Sequence, residues 1–192
     1  TDVLRRAAAQ TDGATVFGNA SNGVEIVTNA TGTVIGGVTP AARCVISGNN
    51  RGVYVAGAAS NFVQGCRIGT DAAGVLVRGN TNSGVFVSGA TARFNTLGDT
   101  TSGGRNVISG NGVGATTEGH GVTLSACVSN FVIGNFIGTT ASGAAALGNQ
   151  DNGIDLAAAS TNAIGGMAAG AGNVISGNDH GIRIGSSATA RA

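Results

Sequence analysis

The side chains best placed to act together lie late in the chain. Asp151 and Asp179 each stand two residues before a glycine (Gly153, Gly181), while Asp155 and Arg183 each stand two residues after the same glycines, with His180 alongside. If the two segments lie one above the other as paired strands, Asp151 and Asp179 come within roughly 5 Å. Their carboxylates, with that of Asp155, are the hard oxygen donors that Ca²⁺ takes. Read more simply, the same residues form a solvated face with one surface ion pair, worth under ~1 kcal/mol. Tyr54 and Phe86 occupy the place of Asp155 in earlier segments. Two stacked rings could bind a sugar, or could simply pack against each other. Other catalytic patterns are missing: the chain has no Gly-x-Ser-x-Gly, no His-Glu-x-x-His, no Cys-x-x-Cys and, without lysine, no phosphate-binding P-loop.

What would position these residues is a repeat. The stretch NVISGN at 106–111 returns unchanged at 173–178 and with one substitution at 44–49. The Gly-Asn pairs that close such segments form one row, Asn19, Asn49, Asn80, Asn111, Asn149 and Asn178, spaced by 30, 31, 31, 38 and 29 residues. Two more rows keep the cadence. Gly23, Gly52, Gly84, Gly121, Gly153 and Gly181 each open an aliphatic-x-aliphatic segment, and Asn or Thr at 33, 61, 95, 130 and 162 precedes another. Three short period-2 segments per repeat, bounded by Gly, Asn, Ser and Thr, read as three strands. A period of about 31 residues predicts a solenoid of about six coils with three parallel sheets, a rod on the order of 30 Å long at ~4.8 Å per coil. Asparagine suits its corners because it tolerates a left-handed bend and can hydrogen-bond its counterpart in the next coil. The ladder residues are therefore expected to be buried, Asn19 included.

The Gly-Ile-x-Leu and Asn-x-Ile-x-Gly-Asn segments resemble those of the bacterial right-handed parallel β-helix repeat proteins, the pectate-lyase-like β-solenoid superfamily. The resemblance covers nearly the whole chain and implies the handedness, a bacterial origin and an extracellular or cell-surface location. The same coil serves polysaccharide lyases, tailspikes, adhesins and passive surface proteins. The leading expectation is a non-enzymatic structural or adhesive module with no cofactor. The alternative is a polysaccharide-binding or polysaccharide-degrading protein, in which Asp151, Asp179 and Asp155 would hold Ca²⁺, and Arg183 would meet a sugar acid. A third reading, ice binding, needs a flat row of outward threonines, and only Thr96 and Thr123 fall at such positions.

Composition narrows the partners. Glycine contributes 35 of 192 residues, charged residues are 10% and the net charge is +1. Disorder does not fit the abundant β-branched residues, and there is no basic field for nucleic acid or an anionic membrane. No apolar run is long enough to insert in a bilayer. Expected partners are a surface glycan and further coils, or another copy end to end, because the last repeat stops short and leaves an open strand edge. Cys44 falls where Asn106 does, Cys66 where Asn135 does, and Cys127 matches Ala58, Ala90 and Ala159; all three read as buried thiols. The chain reads as a single domain over 1–192. Residues 3–10 could form a helix covering the first coil. Residues 112–120, with Thr116, Thr117, Glu118 and His120, form the single long loop, either a binding loop or a plain insertion.

Overall fold

A computed structural model describes residues 17–114 and 118–185. The expected helix at 3–10 and the centre of the 112–120 loop lie outside the described residues. Each coil runs through three short strands. The first comprises β1 (Val24–Val27), β2 (Val34–Gly36) and β3 (Val45–Ile46), and the second β4 (Val53–Ala56), β5 (Phe62–Gln64) and β6 (Arg67–Ile68). The third comprises β7 (Val85–Ser88), β8 (Thr96–Gly98) and β9 (Val107–Ile108). The fourth follows as β10 (Val122–Ser125), β11 (Phe131–Ile133) and β12 (Phe136–Ile137), and the fifth as β13 (Ile154–Ala157), β14 (Ala163–Ile164) and β15 (Val174–Ile175). A last strand, β16 (Ile182–Ile184), pairs on β13.

The chain is thus an all-β parallel solenoid with three parallel sheets, ordered β1-β4-β7-β10-β13-β16, β2-β5-β8-β11-β14 and β3-β6-β9-β12-β15. It completes about five turns rather than six, because β16 opens a turn that no described second or third strand continues. Alternation sends one side of every strand inward. Val53, Val55, Val85, Val87, Val122, Leu124 and Ile154 from the first sheet meet Val63, Leu97 and Val132 from the second and Ile46, Ile68, Ile108 and Ile137 from the third. As the second-strand pattern requires, Phe62 and Phe131 are exposed on the outside while Val63 and Val132 are buried.

Polar residues at the corners are satisfied by stacking. In the predicted ladder each Asn donates through Nδ2 to Oδ1 of the next: Asn19 to Asn49 (3.0 Å), Asn49 to Asn80 (3.0 Å), Asn80 to Asn111 (2.8 Å), Asn111 to Asn149 (2.9 Å) and Asn149 to Asn178 (2.9 Å). The four central members are buried. The end members differ from expectation: Asn19 is exposed and Asn178 half-buried, since among the described residues each has a ladder neighbour on one side only. Two further ladders run beside it, Asn61–Asn95–Asn130–Asn162 and Asn106–Asn135–Asn173. The third is continued downward by cysteine: the Cys66 N–H donates to Asn106 Oδ1 (2.9 Å), and Cys44 takes the next place below. All three cysteines are buried, and none forms a disulfide among the described residues. Cys127 stands in a column with Ala58, Ala92 and Ala159; Ala92 is buried there, whereas Ala90 is exposed.

The ladder asparagines do not make the left-handed bends. Those fall one residue earlier, at Gly48, Gly110 and Gly177 in the first ladder and at Ser60, Phe94, Ser129 and Thr161 in the second. With the bend placed there, the Asn side chain meets its counterpart in the next coil.

Nor is 112–120 the only long excursion. The coils alternate, carrying extra chain before the third strand in one and after it in the next. Segments 70–78 and 139–147 fold back on themselves, with Thr70 bridging Val77 and Thr139 bridging Ala146. They touch each other across the intervening coil, Ala141 N–H donating to Gly74 O (2.8 Å).

Candidate functional site

The outer face of the first sheet carries the polar side chains that could do chemistry. Strand register fixes one column, Glu25, Tyr54, Phe86, Thr123, Asp155 and Arg183, each directly over the last. The residue before each strand-one glycine forms a second column: Asn22, Arg51, Ser83, His120, Asn152 and His180. Asp151 and Asp179 flank it, and the Asp179 N–H donates to Asp151 O (2.9 Å), which sets them in adjacent coils as expected.

Towards the N-terminal half the aromatic pair is covered. The Tyr54 and Phe86 rings meet edge to face with centroids 5.5 Å apart. The Arg51 guanidinium lies over both, 4.4 Å from the Phe86 centroid and 5.3 Å from that of Tyr54. Its Nη2 is 2.9 Å from Glu118 Oε2. Ser83 Oγ donates to Glu118 O (3.1 Å), so the hydroxyl of Thr123, 2.8 Å away, donates to Ser83. The end of the 112–120 loop is therefore tied down onto this face. Sugar stacking on Tyr54 and Phe86 would have to displace a guanidinium held by two rings and a carboxylate.

Towards the C-terminal half, His120, Asp151, Asn152, Asp179, His180 and Arg183 line an open groove of about 430 Å³. Next to two of these residues lies Asp155, outward on its strand yet only 6% exposed. Asn152 Nδ2 donates to Asp155 Oδ1 (3.1 Å), and Arg183 Nη1 lies 3.4 Å from the same oxygen. His120 is equally buried; its Nδ1 accepts the Asn152 N–H (3.3 Å). Asp151 Oδ2 accepts the Gly119 N–H (2.9 Å) and is 4.0 Å from His120 Nδ1.

The structure thus gathers Asp151, Asp155, Asp179, His180 and Arg183 in one place, and adds His120 and Asn152. The second column, read off the repeat alignment one residue before each glycine, carries the signal for both. The donors do not fit a Ca²⁺ site. Asp155 turns to Asn152 and Arg183, Asp151 to a backbone amide, and among the described residues no three of His, Cys, Asp and Glu are placed to hold a metal ion. No helix among the described residues is long and apolar enough to cross a membrane.

No family model, curated protein or solved structure matches the chain.

Proposed function

We propose that this chain is a non-enzymatic β-solenoid module of a secreted or cell-surface bacterial protein, a stiff rod that spaces or presents other surfaces. The observation that carries the reading is the engagement of the polar face. Four of the groups that could act as acid, base or cation are already held by structural contacts: Asp155 by Asn152, Asp151 by the Gly119 amide, His120 by a backbone amide, Arg51 by Glu118 and two rings. A catalytic base needs a free lone pair within reach of its substrate. Three continuous ladders in turn give the rod stiffness along its axis, which a spacer requires. The bacterial surface setting rests on the resemblance of the coil pattern. The exposed apolar side chains of β16, Ile182 and Ile184, favour a further coil or a second copy stacked on that end.

A second reading, binding or cleavage of a polysaccharide, is favoured by the groove beside Asp155, where Arg183 and two histidines could meet an acidic sugar. Incubation with uronate polymers separates the two. A lyase releases unsaturated products that absorb in the ultraviolet and slows when its cation is chelated. The module is expected to release none, and product formation that is lost in Arg183→Gln would overturn the structural reading.

A further inference from the structure

The third sheet holds two arginines that its own repeat shows to be unusual. Arg43 lies two residues before Val45, and Val45 pairs with Arg67 in the coil above. Two coils further on, Arg105 lies two residues before Val107, which pairs with Phe136. The relation is the same, but the partner differs. Arg105 lies over the Phe136 ring, 4.2 Å from its centroid, and its Nε donates to Gly134 O (3.1 Å). In the lower copy a second guanidinium stands where that ring would be.

Nothing in the lower copy replaces what the ring provides. The Nε atoms of Arg43 and Arg67 are both buried without a hydrogen-bond partner. Among the described residues neither side chain has a carboxylate within ion-pair distance; the carboxylate that acts on Arg67 from further off is that of Asp71, whose Oδ1 already accepts the Val75 and Leu76 amides. The 70–78 segment folds over Arg67 as 139–147 folds over Phe136, with Gly74 against the Arg67 side chain and Gly143 against the ring. Burial, and next the charge of Arg43, push the Arg67 guanidinium down to about 10. Two half-buried like charges are costly unless an anion lies between them.

We propose that Arg43 and Arg67 form a binding site for an oxyanion, a sulfate, phosphate or carboxylate group whose oxygens bridge the two guanidinium groups under the 70–78 segment. Arginine suits the task because its planar fork donates in pairs to such oxygens. The site lies on a different sheet from the groove beside Asp155 and does not depend on how that groove is used.

The test uses the whole chain and inorganic sulfate, titrated calorimetrically at ionic strength held constant with sodium chloride, with phosphate and acetate in parallel. Wild type should show saturable binding of at least one of the three. Arg67→Phe, which recreates the arrangement of Arg105 and Phe136, should fold and bind at least tenfold more weakly; Arg43→Gln should do the same. Absence of saturable binding of all three anions to wild type overturns the site, and so does undiminished binding in Arg67→Phe. Competition by a sugar sulfate ester would support the site with a glycan-borne anion as its occupant, and failure of the ester to compete with bound sulfate would support it with a free ion.

Discussion

Asn111 has no spare group on its amide. Its Nδ2 donates to Asn149 Oδ1 and lies within reach of Ile68 O and Ser109 O, while its Oδ1 accepts from Asn80 N and Nδ2. Asn111→Ala would leave buried donors and acceptors unpaired in two neighbouring coils, and each such group costs roughly 1–3 kcal/mol. A loss of about 3 kcal/mol is expected in urea denaturation, larger than for the same change at exposed Asn19. Cys127 makes a prediction in pH. Burial pushes its thiol from the ordinary 9.0 up to about 11, so the folded chain keeps it neutral where the unfolded chain ionises it. Its contribution is intact below pH 9 and is lost as pH rises from 9 to 11, with a slope of at most about 1.4 kcal/mol per pH unit. Cys127→Ala, which supplies the residue found at Ala58, Ala92 and Ala159, should flatten that part of the stability profile. An unchanged slope in the variant would remove the thiol as its cause.

Among the elements, the strand-one glycines show how tightly the coils stack. A Cβ on Gly121 would lie 2.6 Å from Gly153 O, 2.8 Å from Asn149 Nδ2 and 2.8 Å from Ile137 Cγ2. The glycine row exists because the ladder amide and the next coil's backbone fill that space, not because the chain bends there. Gly121→Ala should therefore destabilise by about 2–3 kcal/mol through overpacking. Gly114→Ala meets no such clash among the described residues but has a φ of 83°, so its smaller cost would come from backbone strain. Thermal melts of the two variants distinguish packing from conformation.

For the whole molecule, the two-coil alternation matters more than the single coil. Loops before and after the third strand rest on counterparts two coils away, so each excursion ties three successive coils together. Among the described residues the last strand lacks such a tie. Ile182 and Ile184 stand exposed on the last strand, and β16 offers an unpaired edge among the described residues. If copies stack there, the contact is heterologous and can propagate. Sedimentation coefficients should rise with concentration, and Ile184→Arg should return the chain to a concentration-independent value.

The period, the three strands per coil and the fold class were legible in the sequence, because a solenoid writes each contact as a spacing: Asn49 meets Asn80 and Asn80 meets Asn111 at one interval. The same rule foretold that Asp151 would stand by Asp179, and Asp155 by Arg183. Turn count and loop alternation were less legible, since coils of equal length can carry their extra residues on either side of the third strand. What the tertiary structure alone decided lies off the repeat. Arg51 reaches Glu118 over 67 positions because the chain from Glu118 lies against the outer face of the first sheet. Burial of His120 and Asp155, and the pairing of Arg43 with another arginine where Arg105 has a ring, depend on which side chains lean across columns. Spacing places backbones in register; it does not say where a long side chain goes once its neighbours have taken the nearest space.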